Sequence, residues 1–397
     1  MKRTRTDIVL DLDRYLCGFF VFFCRLIKPL VTRFRPFQKE SVKEIVVAKY
    51  VGLWSILLTQ KLLLTLRENF PEAKITFLTF DMNERLLALM NHLVDHVLVV
   101  KTSSAGALIR SSFKAVSLLK KRRIDLYFDL EFFSRFSAIM CFFSQPRTAV
   151  GYESLVLSSR TSLYNYPAKL ISYVHMSENF TNQARTLGLK VIESVDCPTI
   201  KLADLLVEQT RKKIGSFGLS SREFIIFNAN TSEAARHLRR WSDEKWARLA
   251  EFTLKKKGAP IVFTGLSEDR GLVENIISSI RQQGSDSLVY NFAGKLDLHE
   301  FFALLSLSRL VVTVDSGAAH FAISLKKPTV ILFGPEWPGL YGYQIPYCRM
   351  VYKAVFCSPC YNIHHGKKVI CRNENRCMTT ITPEEVFKEM EILSNHA

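Results

Sequence analysis

The chain has 397 residues, 48% of them hydrophobic, which is enough for two domains with sizeable cores. Its 54 Lys and Arg against 37 Asp and Glu give a formal charge of +17, so anionic partners are favoured: nucleic acid, anionic lipid or phosphorylated sugars. Nucleic acid is excluded because no recognisable reading module accompanies the charge, and a solenoid because no repeat of the required period is present.

The first segment, residues 1–40, is amphipathic. Ile8, Leu12, Leu16, Phe19, Phe23, Leu26 and Leu30 recur at helical spacing, with Asp11, Arg14, Arg25 and Lys28 between them. The unbroken apolar run, Tyr15–Cys24, has ten residues, where a bilayer-spanning helix needs about 20. Nine Lys and Arg against three Asp lie within Met1–Lys39. A helix lying in the interface of an anionic leaflet fits this pattern, and an amphipathic helix docked on its own domain is the alternative. No cleavable secretory signal is apparent, so a reducing compartment is expected rather than disulfides. The basic clusters Lys120–Arg123 and Lys255–Lys257 read as solvated helix faces.

From residue 41 the pattern alternates β and α. EIVVAKYVG predicts a strand, SILLTQKLLLTLREN a helix, AKITFLTF and HVLVVK strands around a short helix, and ALIRSSFKAVSLLKKRR a helix. IDLYFDLEF predicts a strand ending in acids, RFSAIMCFF a helix, and RTAVGY a strand closing the first domain, residues 41–200. Residues 152–196 read as irregular and helical. The second domain, residues 201–382, repeats the alternation through FIIFNAN, PIVFTG, LVYNFAG and RLVVTV, each strand separated by a helical pattern. A last helix falls within residues 383–397.

The most informative stretch is VVTVDSGAAHFAISLKKPTVILFGPEWP, from Val311 to Pro338. It reads as strand, small-residue turn, helix, strand and glycine-proline loop. Asp315, Ser316, Gly317 and His320 fall where the first strand gives way to the helix, the place where open α/β sheets bind ligands. Asp315 and Ser316 can cap the helix, and Gly317 with its two alanines lets a ligand approach the backbone.

The pattern Asp315-Ser316-Gly317-Ala318-Ala319-His320 followed by Phe333-Gly334-Pro335 resembles glycosyltransferase family 9, the ADP-heptose:lipopolysaccharide heptosyltransferases. Phe224–Asp269 is similar to that family's nucleotide-binding strand, phosphate loop and next strand, and Ile45–Thr79 to its first βαβ unit. The resemblance implies two facing doubly wound Rossmann-like domains with a cleft between them, the glycosyltransferase B fold, whose last helix usually returns to the first domain. It also implies an inverting, metal-independent transfer of a heptose-like sugar from a nucleotide-diphosphate donor to a lipopolysaccharide-core or related glycolipid acceptor, by a cytoplasmic protein peripheral on the anionic cytoplasmic face of the inner membrane.

On that reading Thr231 and Ser232 are placed to meet the donor diphosphate, and Arg239, with Arg240 as the competing choice, to neutralise it. Glu268, or Asp269 if the loop slips, is placed for the ribose hydroxyls, and Asp315, Ser316, Gly317 and His320 for the sugar and diphosphate. Glu336 either contacts the sugar or caps its loop. The departure lies in the first domain. Many family members carry Gly-Asp in the first loop, with the Asp as the favoured base, whereas this chain has Gly52-Leu53. Leu53 cannot take a proton, so the strand-end acids Glu131, first, and Asp129, second, become the candidates for the base, with strand-end capping as the alternative role. If neither serves, the chain is a non-catalytic, nucleotide-sugar-binding or membrane-bound descendant.

No cofactor is expected for transfer. Cys357, Cys360, Cys371 and Cys377 have the spacing C-x2-C, ten residues, C-x5-C, which could close a structural zinc site; the alternative is a thiol-rich loop packed over the domain junction.

Overall fold

The computed structural model describes residues 13, 17–31, 36–153, 158–193, 197–219, 223–230, 233–281, 288–361, 363 and 369–395. The chain divides into two compact units, Met1–Val195 with Ile363–Gly366, and Asp196–Asn362 with Lys367–Ala397.

In the first unit six parallel strands form one sheet: β1 (Glu44–Ala48), β2 (Lys74–Phe80), β3 (His96–Val100), β4 (Leu126–Asp129), β5 (Thr148–Glu153) and β6 (Tyr166–Lys169), in the order β3-β2-β1-β4-β5-β6. Its helices of eight or more residues are α1 (Gly18–Val31), α2 (Gln60–Asn69), α3 (Ala105–Arg122), α4 (Arg135–Ser144) and α5 (Met176–Arg185). Parallel strands with helices on both faces are buried on both sides, which is why Ile45, Val46, Val47 and Ala48 are all buried in β1. One face is covered by α3, α4 and α1, whose Leu119, Phe142 and Val21 share a core with Val46, Ala48 and Tyr127.

The second unit repeats the plan. Strands β7 (Ile225–Asn228), β8 (Ile261–Phe263), β9 (Val289–Asn291), β10 (Leu310–Val314), β11 (Thr329–Phe333) and β12 (Cys348–Tyr352) are ordered β12-β11-β10-β7-β8-β9. Its longer helices are α6 (Asp204–Ser216), α7 (Asp243–Lys257), α8 (Arg270–Arg281), α9 (Leu298–Leu307), α10 (Gly317–Ser324) and α11 (Pro383–Ser394). Counted along its own chain, each sheet runs 3-2-1-4-5-6. The order therefore reverses between β1 and β4 in one unit and between β7 and β10 in the other, and ligands bind such sheets at the carboxyl ends of the strands beside that switch.

Two expectations are corrected. Strands β6 and β12 are absent from the sequence reading, and both are sheet edges. Pro167 sits in β6, where an edge position tolerates the missing N–H. The last helix, α11, belongs to the second unit: Val386, Phe387, Met390 and Leu393 bury against its core, and Trp241 Nε1 donates to the Ile381 carbonyl just before it at 3.1 Å. A helix with four buried apolar residues on one stripe docks on the nearest uncovered sheet face, here beside β11 and β12.

Candidate functional site

In the first unit the switch point holds an ionic cluster. Glu131, two residues beyond β4, places Oε1 2.8 Å from each of three donors: the Lys49 ammonium and the backbone N–H groups of Tyr50 and Val51. Lys49 and Glu131 are both buried, at 3% and 5% exposure, and a buried charge persists only when it is paired and hydrogen-bonded. Among the described residues the second carboxylate oxygen of Glu131 makes no hydrogen bond. The clamp fixes the loop that turns through Gly52, whose φ of +88° is a left-handed conformation suited to glycine, into the short helix Leu53–Leu57.

Asp129 does not open to an acceptor. It has no exposed surface and accepts hydrogen bonds from Ser137 Oγ at 2.8 Å, the Tyr164 hydroxyl and the Glu131 N–H at 3.0 Å. The Arg160 guanidinium, equally buried, stands 3.2 Å away. Burial pushes the Asp129 carboxyl up, and Arg160 with Tyr164 works against that shift. Arg160 also donates to the Glu131 carbonyl. Asp129 is thus the counter-ion of a core arginine, and its role as second candidate base is corrected on that ground.

In the second unit the corresponding edge is lined with polar side chains. Asn228 ends β7, and its Nδ2 donates to Thr264 Oγ1 at 3.0 Å. Asn230 Nδ2 donates to the Thr264 carbonyl at 2.8 Å. A Cβ on Gly265 would stand 2.2 Å from Asn230 Nδ2, so this close approach requires glycine. Ser316, before α10, makes no side-chain cap; its hydroxyl lies 3.0 Å from Thr313 Oγ1 instead. The expected capping role of Ser316 is corrected, because Thr313 and Asn228 at the sheet edge compete for the hydroxyl. His320, one turn into α10, is buried with Nδ1 2.7 Å from the Tyr343 hydroxyl.

Arg239 is buried beneath this edge. It donates to the Asp315 carbonyl at 3.0 Å and pairs with the Asp315 carboxylate at 3.1 Å and Glu336 at 3.5 Å, above the Tyr361 ring. Burial disfavours its charge, but Asp315 and Glu336 outweigh burial and raise its pKa. The fork expected to meet phosphate oxygens is occupied by two buried carboxylates. Arg240 is exposed and pairs with Asp243 at 2.8 Å. Arg236, on the short helix Glu233–Arg239, is half-exposed and pairs with the buried Asp269 at 2.7 Å. Asp269 also accepts from the Leu266 N–H, so it is committed to the loop, while Glu268 is exposed beyond β8. Thr231 and Ser232 lie outside the described residues.

Among the described residues no three His, Cys, Asp or Glu side chains gather closely enough to hold a metal ion. Cys377 is buried and Cys357, Cys360 and Cys371 are half-buried. Burial, with the neighbouring thiols, pushes Cys377 up to about 11 and raises Cys360.

A model of glycosyltransferase family 9 (heptosyltransferase) matches residues 119–370, well over half of the chain. The chain belongs to that family. Membership makes it a glycosyltransferase and sets it among proteins of heptose transfer in lipopolysaccharide biosynthesis. It is 24% identical over 301 residues to lipooligosaccharide heptosyltransferase 2 of Haemophilus ducreyi, covering 74% of this chain and 83% of that one. The E. coli ADP-heptose lipopolysaccharide heptosyltransferase II structure superposes with a TM-score of 0.69 at 21% identity, covering 90% of this chain and 100% of that one. E. coli heptosyltransferase WaaC with ADP gives 0.63 at 17%, covering 88% and 99%. These likenesses establish the two-sheet glycosyltransferase B type of fold.

Sequence reasoning missed Lys49, Arg160, Asn228, Asn230 and Arg236. The two asparagines carried a signal, since polar residues two apart at the end of an apolar strand need partners. Arg160 carried none: it lies in a stretch without periodicity, and only the fold brings it to Asp129.

Proposed function

We propose that this family 9 glycosyltransferase moves a heptose-type sugar from an ADP-linked donor to a lipopolysaccharide-core or related glycolipid acceptor, with inversion and without a metal, on the cytoplasmic face of the inner membrane. The observation that carries this reading is the polar edge at the β7/β10 switch: Asn228, Thr264, Thr313 and Ser316 joined by hydrogen bonds at the strand ends, with the first turn of α10 left without a side-chain cap. That arrangement suits a diphosphate, because helix amino ends and hydroxyls satisfy phosphate oxygens. Thr231 and Ser232 directly follow Asn230 in the sequence and are proposed to meet the same diphosphate. Arg236, rather than the enclosed Arg239, supplies the guanidinium for the leaving diphosphate, and Glu268 receives the ribose hydroxyls. Arg239 holds Asp315 and Glu336 in place. Family relatives support the donor: one solved relative carries ADP.

On the acceptor side Glu131 takes the hydroxyl proton through the oxygen not bound to Lys49. Its clamp on Tyr50 and Val51 brings this carboxylate to the very loop in which Leu53 stands where many relatives have the Asp. Leu53 also favours a second reading, a nucleotide-sugar binder without turnover. Release of ADP from a panel of ADP-linked sugars, with lipid-linked acceptor from a truncated-core strain, separates the two. ADP release that requires acceptor supports transfer, and binding of donor without release under any acceptor supports the second reading.

A further inference from the structure

Within α1 the apolar stripe Phe19, Phe23, Leu26 and Leu30 is turned outward. In α1 the side facing the domain is formed by Val21 and Cys24, both fully buried in the core with α4. Two polar ties fix the segment's orientation. Asp13 accepts hydrogen bonds from the backbone N–H groups of Arg135 and Phe136 at the start of α4, and the Lys28 ammonium donates to the Ser162 carbonyl. Phe19, Phe22, Phe23, Leu26 and Leu30 consequently project away from the domain, with Phe19 67% and Leu30 88% exposed. The alternatives weighed for this helix are therefore not exclusive: it docks on its own domain by one face and leaves an aromatic face open.

A second helix of the same layer does likewise. The outer side of α3 carries Ile109 and Phe113, one turn apart, with Phe113 72% exposed. Beside them Arg110, Lys114, Lys120 and Lys121 are exposed. Both α1 and α3 pack against α4, so the two outward faces belong to one side of the first sheet. An exposed apolar patch ringed by polar residues marks an interaction surface.

We propose that α1 and α3 together form a docking face for an anionic lipid bilayer. Charge selects this occupant. Arg25 is exposed on α1, and the chain adds Lys2, Arg3 and Arg5 before the helix and Arg33, Arg35 and Lys39 after it. A second copy of this chain would set basic residues against basic residues, whereas an anionic leaflet complements them and accepts Phe and Leu to the depth of the acyl boundary. Among the described residues no helix is long and apolar enough to cross a membrane. Docking is therefore by a face. This inference goes beyond the transfer reaction and stands or falls without it.

The test uses the full chain with two sets of vesicles, phosphatidylcholine alone and phosphatidylcholine with added phosphatidylglycerol, read by flotation. Wild type partitions onto the phosphatidylglycerol vesicles only, and added salt weakens the partition. Phe19→Ser with Phe23→Ser, and separately Ile109→Ser with Phe113→Ser, each lower the partition at least about tenfold. Lys114→Glu with Lys121→Glu lowers it by about fivefold or more for each residue changed. All six positions are exposed, so circular dichroism and thermal midpoint stay at wild-type values and report any variant that misfolds. An unchanged partition in the Ile109 and Phe113 variant removes α3 from the face and overturns the composite surface. Equal binding to both vesicle types overturns the anionic assignment. Absence of vesicle binding together with a dimer dissociated by the Phe19 and Phe23 variant assigns the face to a second copy instead.

Discussion

The Val51 N–H donates to Glu131 Oε1 at 2.8 Å across 80 residues of chain, tying the loop after β1 to the end of β4. The same oxygen accepts from Lys49. One side chain thus fixes the conformation of the Gly52-Leu53 turn and brings a carboxylate to it.

Glu131→Gln tests the base. With an amide in place of the carboxylate, the proposed mechanism loses about a hundredfold or more in turnover, the usual contribution of a positioned base, while ADP affinity in calorimetry is unchanged. Because Lys49 loses its counter-ion, stability falls as well. Lys49→Met is the control: it disrupts the same ion pair and keeps the carboxylate. If Lys49→Met loses as much turnover as Glu131→Gln, the carboxylate acts only by holding the loop.

Asp129→Asn leaves Arg160 buried beside a neutral amide. The expected cost is about 3–5 kcal/mol in urea unfolding, as for other buried ion pairs broken on one side. A loss below about 1 kcal/mol contradicts the core ion-pair role.

Arg236→Ala and Arg239→Ala distinguish a phosphate contact from a scaffold. The first weakens ADP more than AMP by about 1.5–3 kcal/mol, a lost charge-assisted hydrogen bond; it also removes the ion-pair partner of the buried Asp269, so stability falls, but less than in the second because Arg236 is half-exposed. The second removes the guanidinium that two buried carboxylates share, so it lowers stability by about 3–5 kcal/mol and weakens ADP and AMP alike. A diphosphate-selective loss in Arg239→Ala with stability intact restores the direct phosphate role.

Acid stability is the fourth expectation. Glu178, on α5, is paired with Lys61 and with Arg185 at 2.9 Å. Burial raises its pKa, but these partners outweigh burial and hold it below the ordinary value of 4.5. A depressed carboxylate stabilises the fold above its unfolded pKa, and that contribution disappears as pH falls through the folded pKa. Unfolding free energy followed from pH 6 downward therefore falls below about pH 5, and less steeply in Glu178→Gln. Identical slopes for the two proteins count against this assignment.

Much of the fold was legible because parallel strands in a covered sheet are continuous apolar runs and their helices keep one apolar stripe. EIVVA, IIFN, LVVTV and TVILF all proved to be strands. The sixth strand of each sheet was not legible. An edge strand needs no apolar run, and YPAK and CRMVY mix exposed and half-buried residues with buried ones.

The sequence by itself determined the family, the alternating α/β plan and the strand-to-helix turn from Asp315 to His320, since spacing and turn chemistry are local properties. Only the tertiary structure decided what each charged group does. Asp129 and Glu131 are two residues apart on one strand end, yet one is enclosed with Arg160 and the other clamps Tyr50 and Val51. Arg239 and Arg240 are adjacent, yet one is buried between two carboxylates and the other is solvated. Burial and counter-ions set the behaviour of a charge, and both come from elements remote in the chain.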